Sequence, residues 1–348
     1  MPIRNAAGAG RPLIPFADLT ERGRARRLRR MALAALTHYD LDVRRVSLIA
    51  NHLNGLFRVD TVDGAICALR ISHPTWRTDD DLRSELLWLQ ALGRDTDIGA
   101  PVPVFSRSGD LVVTVRSDGV PEPRRCVVMS WLPGVELAKR LSERGVFQLG
   151  LLAARLHSHA AEWTPPTDFA ARTMTGIYAR GGPDVLFNES ALDAMAGHDG
   201  AVLERANIRV SAAYSAVISD PRGLHVIHGD LHQGNVKVFR GRLRPLDFED
   251  TILGHPVQDI AATFGDLLFY TQFTNQEYLQ MRDAFTRGYC SHRPWPEAYP
   301  GQIDALMAGR LIWRANFVVR FERLHAPAFI AWAAARLRAF LEDGVLLK

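Results

Sequence analysis

The chain has 348 residues, 47% of them hydrophobic and 23% charged, with a formal net charge of +4. That length and balance suit a globular protein of two lobes; the charge accommodates nucleotide phosphates but falls short of the basic footprint of a nucleic-acid binder, so none is expected. No apolar run reaches the roughly 18 residues of a membrane span, and no membrane partner is expected.

In chain order, residues 1–17 carry Gly, Ala and Pro without periodicity and read as a loose arm with no signal-peptide core. A helix from about Leu19 to Tyr39 carries six arginines between Arg22 and Arg30, read as a solvated face rather than an anion site. Strands follow at Val46 to Ala50, Leu56 to Thr61 and Ala65 to Ile71. Alternation in the third puts Ile66, Ala68 and Arg70 on one face and Cys67, Leu69 and Ile71 on the other. A helix begins after Thr78, with Asp79, Asp80 and Asp81 at its positive end, Leu82, Leu86 and Leu89 as its stripe and Glu85 at the stripe's edge.

Pro101-Val-Pro103 reads as a turn, and two more strands run Leu111 to Arg116 and Arg125 to Ser130. Trp131-Leu-Pro-Gly134 breaks the pattern, and from Val135 the chain reads as helices: Phe147 to Glu162, Glu189 to Ser219, Asn275 to Tyr289, Gln302 to Leu324 and Ala326 to Leu341. His157 and His159 read as packing or capping residues, and Trp313, Phe317 and Phe321 as core. Cys67, Cys126 and Cys290 lack metal spacing and read as reduced residues of a cytoplasmic protein.

One stretch interrupts the helices. Val226-Ile-His-Gly-Asp-Leu-His-Gln-Gly-Asn-Val-Lys-Val238 reads as strand, polar loop, strand, and Leu246-Asp-Phe-Glu-Asp250 follows. Asp230 precedes Asn235 by five residues, and Asp247 follows Asn235 by twelve. Phosphoryl transfer from ATP requires a carboxylate to hold the attacking hydroxyl and hard oxygens to fix Mg²⁺ on the phosphates. This spacing supplies the carboxylate from Asp230 and the metal oxygens from Asn235 and Asp247.

His228-Gly-Asp-Leu-His-Gln-Gly-Asn235 with Asp247-Phe-Glu-Asp250 resembles the aminoglycoside phosphotransferase and choline/homoserine kinase-like superfamily. Gly254-His-Pro-Val-Gln-Asp-Ile260 resembles its next helix start, where Asp259 would anchor the loop. The resemblance implies an α+β, two-lobed protein-kinase-like fold: a small antiparallel β N-lobe (18–130), a hinge (131–134) and a larger, mainly helical C-lobe (135–348). It implies an ATP- and Mg²⁺-dependent transfer to a small-molecule hydroxyl, with Asp230 catalytic and Asn235 and Asp247 on the metal. Arg70, braced by Glu85, would steady the phosphates where the superfamily mostly has Lys. Asn54 and Gly55 would lie over the phosphates, although Asn51–Gly55 equally suits a plain hairpin turn. Ala68, Met129, Ser130, Trp131 and Leu132 would surround the adenine, although Pro133 and Gly134 suit any strand-to-helix turn. The same motifs leave open a stress-response type of protein Ser/Thr kinase and, through Arg70, a nucleotide-binding pseudokinase.

Overall fold

The structure is a computed structural model. It describes residues 14–179, 181, 183–188, 197–220 and 223–347, without the side chains of 197, 198 and 323. The chain divides into two units, Met1–Trp76 with Pro103–Trp131, and Arg77–Val102 with Leu132–Lys348.

In the first unit, α1 (Glu21–Leu36) starts where the Thr20 hydroxyl accepts from the Gly23 N–H at 3.2 Å. Its buried Leu28, Met31, Ala32, Ala35 and Leu36 recur at helical spacing and cover one face of a sheet. The strands are β1 (Val43–Asn51), β2 (Gly55–Thr61), β3 (Ile66–Ile71), β4 (Pro103–Val104), β5 (Val113–Val115) and β6 (Arg124–Ser130). Their order is β1-β2-β3-β6-β4, with β5 also on β6, and every pairing is antiparallel. The sequence leads to five of these; β4 is two residues that begin at the last residue of the expected turn. Cys67, Leu69 and Ile71 enter the core with Phe57 and Val128, which fixes the parity of β3 and puts Ala68 and Arg70 on its other face. The arginines of α1 do not all lie on a solvated face. Arg27 is buried and donates to the carbonyls of Ile14 and Gly119, each at 2.6 Å.

In the second unit, α2 (Asp79–Asp95) opens on a capping box in which Thr78 and Asp81 satisfy each other's backbone N–H groups. This segment, expected in the N-lobe, groups with the second unit for identifiable reasons. The Trp88 ring meets Phe248 edge-on at 5.4 Å, Asp81 pairs with Arg172 at 2.6 Å, and Arg77 donates to the Glu249 carbonyl at 2.9 Å and pairs with Asp250. The other elements are β7 (Val135–Glu136), α3 (Glu143–Glu162), α4 (Gly197–Ile218), β8 (His225–Ile227), β9 (Val236–Phe239), β10 (Arg242–Pro245), β11 (Ile252–Gly254), α5 (Pro256–Phe269), α6 (Asn275–Cys290), α7 (Gln302–Phe321) and α8 (Ala326–Asp343). β10-β9-β7 and β11-β8 form two small sheets. Helices α3 and α6 approach until a Cβ on Gly150 would strike the Phe285 carbonyl and one on Gly288 the Phe147 carbonyl. Only glycine permits that separation.

The start of the helix expected over 189–219 and most of the N-terminal arm lie outside the described residues. Trp313, Phe317 and Phe321 make tilted ring contacts along α7 at 5.7 and 4.8 Å. Among the described residues no helix is long and apolar enough to cross a membrane.

Candidate active site

Two strand pairs frame the polar loop. β8 pairs with β11 through Ile227 and Ile252, and β9 pairs with β10 through Val236 and Pro245. The β-branched Val226, Ile227 and Val236 are buried, so both loop ends are anchored and residues 228–235 are held between them. Gly229 sits at φ +78°, and a Cβ there would strike the Asp250 carbonyl, so this turn needs glycine on two counts.

The loop is tied down chiefly by α5. Asp259, wholly buried, accepts from the His228 N–H at 2.9 Å and the Gly229 N–H at 2.7 Å, and His157 Nε2 reaches it at 3.2 Å. Burial pushes the Asp259 carboxyl up, but the bonds from His157 and the His228 backbone outweigh it and hold the pKa below the usual range. Thr263 donates its hydroxyl to the Leu231 carbonyl at 2.7 Å. Asp266 faces His232 Nδ1 at 3.6 Å and Arg310 at 3.2 Å. Asp259, Thr263 and Asp266 are spaced four and three apart, so one face of a single helix orients the whole loop. The sequence leads to Asp259 in this role; Thr263, Asp266 and Arg310 are additions from the structure.

His228 is fully buried between Phe248, 4.4 Å away ring to ring, and the loop backbone. Its Nδ1 accepts from the Asp230 N–H at 3.3 Å, and this assigns the proton to Nε2, which donates to the Leu246 carbonyl at 3.0 Å. Burial lowers its pKa, in keeping with a neutral ring that uses both nitrogens. His157 is likewise a buried bridge, with Nδ1 on the Tyr289 hydroxyl at 3.0 Å. His159 accepts from Trp88 Nε1 at 3.2 Å. Both histidines are packing residues.

Asp230 is partly exposed. Its Oδ1 pairs with Arg310, and its Oδ2 accepts from Asn235 Nδ2 at 3.2 Å and faces His232 Nε2 at 3.6 Å. The Asn235 amide also donates to the Asp230 carbonyl at 3.0 Å, which commits its nitrogen to Asp230 and leaves its Oδ1 as an acceptor. Across the hairpin base the Leu246 N–H donates to the Asn235 carbonyl at 2.9 Å. Asp247 therefore follows directly on the cross-strand partner of Asn235, and its side chain is exposed. The three motif residues are thus gathered at one hairpin base. The Asn235 and Asp247 side chains offer hard oxygens of the kind that suit a cation completing its shell with water and phosphate oxygens, as Mg²⁺ does. Among the described residues no three His, Cys, Asp or Glu side chains form a metal-holding group.

Most nucleotide candidates lie in the first unit. Arg70 is buried on β3, paired in register with Leu56 and Val127, and Ala68 pairs with Met129. Gly55 begins β2 opposite Asn51, and the Asn54 side chain accepts from the His73 N–H at 2.9 Å. Ser130 ends β6, and the Trp131 N–H donates to the Ile66 carbonyl at 3.1 Å while Arg58 stands 5.4 Å over the Trp131 ring. Glu85 and Leu132 belong to the second unit, Glu85 buried on α2. The Leu132 carbonyl accepts from Lys237 Nζ at 2.9 Å, which ties the start of this stretch to β9.

The family model described as the phosphotransferase enzyme family matches residues 47–300, well over half of the chain. An uncharacterized protein of Synechocystis is 25% identical over 304 residues, covering 84% of this chain and 80% of its own. The solved structure of a microcompartment-associated aminopropanol kinase is similar with a TM-score of 0.72 at 23% identity, covering 91% of this chain and 98% of that one. An amicoumacin kinase solved with AMP-PNP, Ca²⁺ and its antibiotic has a TM-score of 0.73 at 19% identity, covering 94% and 97%. These likenesses establish the two-lobed, kinase-like α+β fold. With that fold, a family model spanning the loop and the hairpin base, and the motif residues gathered there, the chain is an enzyme and belongs to the phosphotransferase enzyme family.

Proposed function

We propose that the protein transfers the γ-phosphate of ATP to a hydroxyl of a small molecule. The observation that carries this reading is the bond between Asp230 Oδ2 and the Asn235 amide, in a loop held by three residues of one helix face. It couples the carboxylate proposed to orient the acceptor to the side chain proposed as a metal ligand. In the reaction the acceptor oxygen bonds to the γ-phosphorus, the bond to the bridging oxygen of ADP breaks, and the hydroxyl proton passes to Asp230. Asp230 orients the hydroxyl as well as taking its proton, which places the attacking oxygen in line. Asn235 and Asp247 would hold Mg²⁺, which when bound neutralises charge on the phosphates. Arg70 would supply a fixed cation to the same phosphates, with a planar fork that Lys lacks. Glu85, Asn54, Gly55, Ala68, Met129, Ser130, Trp131 and Leu132 enter the proposal as nucleotide-site residues through their match to the family pattern.

The test is ATP turnover against a panel of hydroxyl compounds, with Asp230→Asn beside the wild type. The variant keeps the bond to Asn235 within reach but removes the base. Its rate is expected to fall by about 10² to 10⁴ while ATP still binds. Near-wild-type turnover by Asp230→Asn on a verified acceptor would remove Asp230 from the role.

A further inference from the structure

Arg310 is a charged side chain that the reaction as proposed leaves unused. It lies on α7, far along the chain from the loop, and its guanidinium pairs with Asp230 Oδ1 and, at 3.2 Å, with Asp266 Oδ2. Its side chain is 17% exposed. A guanidinium so covered stays charged, and the two carboxylates offset what its burial costs. Burial works against the charge, and Asp230 and Asp266 overcome that and raise the pKa.

Packing delivers the group to this point. The neighbouring Gly309 lets α7 sit against α4 so closely that a Cβ would lie 2.5 Å from the Tyr214 ring and 2.7 Å from Val210. On α5, a Cβ on Gly265 would stand 3.8 Å from Arg310 Cδ, so a glycine borders the arginine stem. Asp266 follows Gly265 and accepts from the same guanidinium nitrogen, Nη2, as Asp230.

A carboxylate held by one oxygen cannot rotate freely about its Cβ–Cγ bond. With Oδ1 on Arg310, Oδ2 is the oxygen left facing Asn235 and His232. Because Asp266 shares the guanidinium, Asp230 is oriented without losing all of its negative charge to one partner.

We propose that Arg310, braced by Asp266, is a positioning residue that fixes the Asp230 carboxylate so that Oδ2 meets the acceptor hydroxyl. This rests on the reading of Asp230 as the acceptor-orienting carboxylate. A bare tie between α7 and the loop is the competing role, and it predicts lost stability with no kinetic signature.

The experiment uses the full chain with Mg-ATP and water as the acceptor, reading phosphate release, the KM for ATP and the melting temperature. Arg310→Gln is expected to lower kcat by about tenfold to a hundredfold, as a displaced reacting group does, with the KM for ATP unchanged. Arg310→Lys should recover part of kcat, and Arg310→Gln should cost nothing further in an Asp230→Asn background. Wild-type kcat in Arg310→Gln, or a lower melting temperature alone, would overturn the proposal. If Arg310→Gln does not fold, Asp266→Asn carries the same comparison: lowered kcat at constant KM supports the proposal, and wild-type kcat overturns it. Phosphate release that Asp230→Asn abolishes and the Arg310 and Asp266 variants leave intact sinks this inference alone. A wild type with no release sensitive to Asp230→Asn removes the functional reading and this inference together.

Discussion

Asp247 joins an exposed carboxylate to a left-handed backbone, φ 62° and ψ 59°. Asp tolerates that region better than most residues but still pays some strain for it, and strain of this kind concentrates at functional sites. The two properties separate by substitution. Asp247→Asn keeps the backbone preference and loses the charge; Asp247→Gly loses the side chain and relieves the backbone. Both are expected to weaken Mg-ATP binding by about tenfold or more, roughly 1.4 kcal/mol, by calorimetry. EDTA should weaken wild-type ATP binding similarly and add little in either variant. Asp247→Gly should melt above Asp247→Ala by a difference equivalent to about 1 kcal/mol, since alanine must adopt the left-handed turn. Unchanged affinity and metal dependence in both would leave Asp247 a turn residue. The grouping of Asp230, Asn235 and Asp247 was legible in the sequence because it depends on local spacing. Arg310 was not, because it reaches Asp230 across 80 residues and nothing near it in the chain marks it.

At the scale of the element, α5 is the part on which the loop depends. Every residue from Pro256 to Leu268 is buried, so its polar Asp259, Thr263 and Asp266 face protein rather than water. Asp259 satisfies two loop N–H groups and His157 at once, and removing it strands all three. Asp259→Ala is expected to cost about 3–5 kcal/mol in denaturant unfolding, the range for breaking a buried charged pair. Its kcat should fall even well below the melting transition, because the loop loses its register. A loss under 1 kcal/mol would show that other contacts hold the loop. The helix start was legible from Pro256 and Asp259, whereas Thr263 and Asp266 were not: polar residues in a helix ordinarily mark its wet face, and only tertiary packing reveals a dry one. The strands of the first unit were legible from their alternation, apart from β4, which two residues are too few to show.

Across the whole molecule, the sequence divides at the change from strands to helices near Ser130, yet the chain passes between its units at three points, after Trp76, Val102 and Trp131. A single cut along the chain cannot show a segment that leaves one unit and returns, and Arg77–Val102 is such a segment, held by Trp88 on Phe248 and Arg77 on Asp250. Phe248 in turn packs on His228, so the stability of this network and the protonation of the loop are linked. His228 is surrounded by Asp259 on α5, Asp230 and His232 in the loop and the Leu246 carbonyl, and burial outweighs the carboxylates to lower its pKa. The unfolded chain therefore takes up a proton near the ordinary histidine value of about 6.5 while the folded state refuses it, and stability falls as pH drops through that value. His232 has the opposite sign: burial disfavours its charge, Asp266 and Asp230 overcome that and raise its pKa, so it adds stability on the acid side. Asp259, with a lowered pKa, adds a constant stabilisation above about pH 4, which is lost as pH falls through the folded value. Between pH 8 and pH 5 His228, together with His225 and His255, whose burial also lowers their pKa, acts against His232, and these three decide the sign. The melting temperature is expected to fall over that interval. In His228→Gln, which cannot take up the proton, the fall should shrink, as only His225 and His255 remain to oppose His232. A wild-type melting temperature that rises on acidification, or a His228→Gln profile parallel to the wild type, would show that His228 does not set the acid limit of this fold.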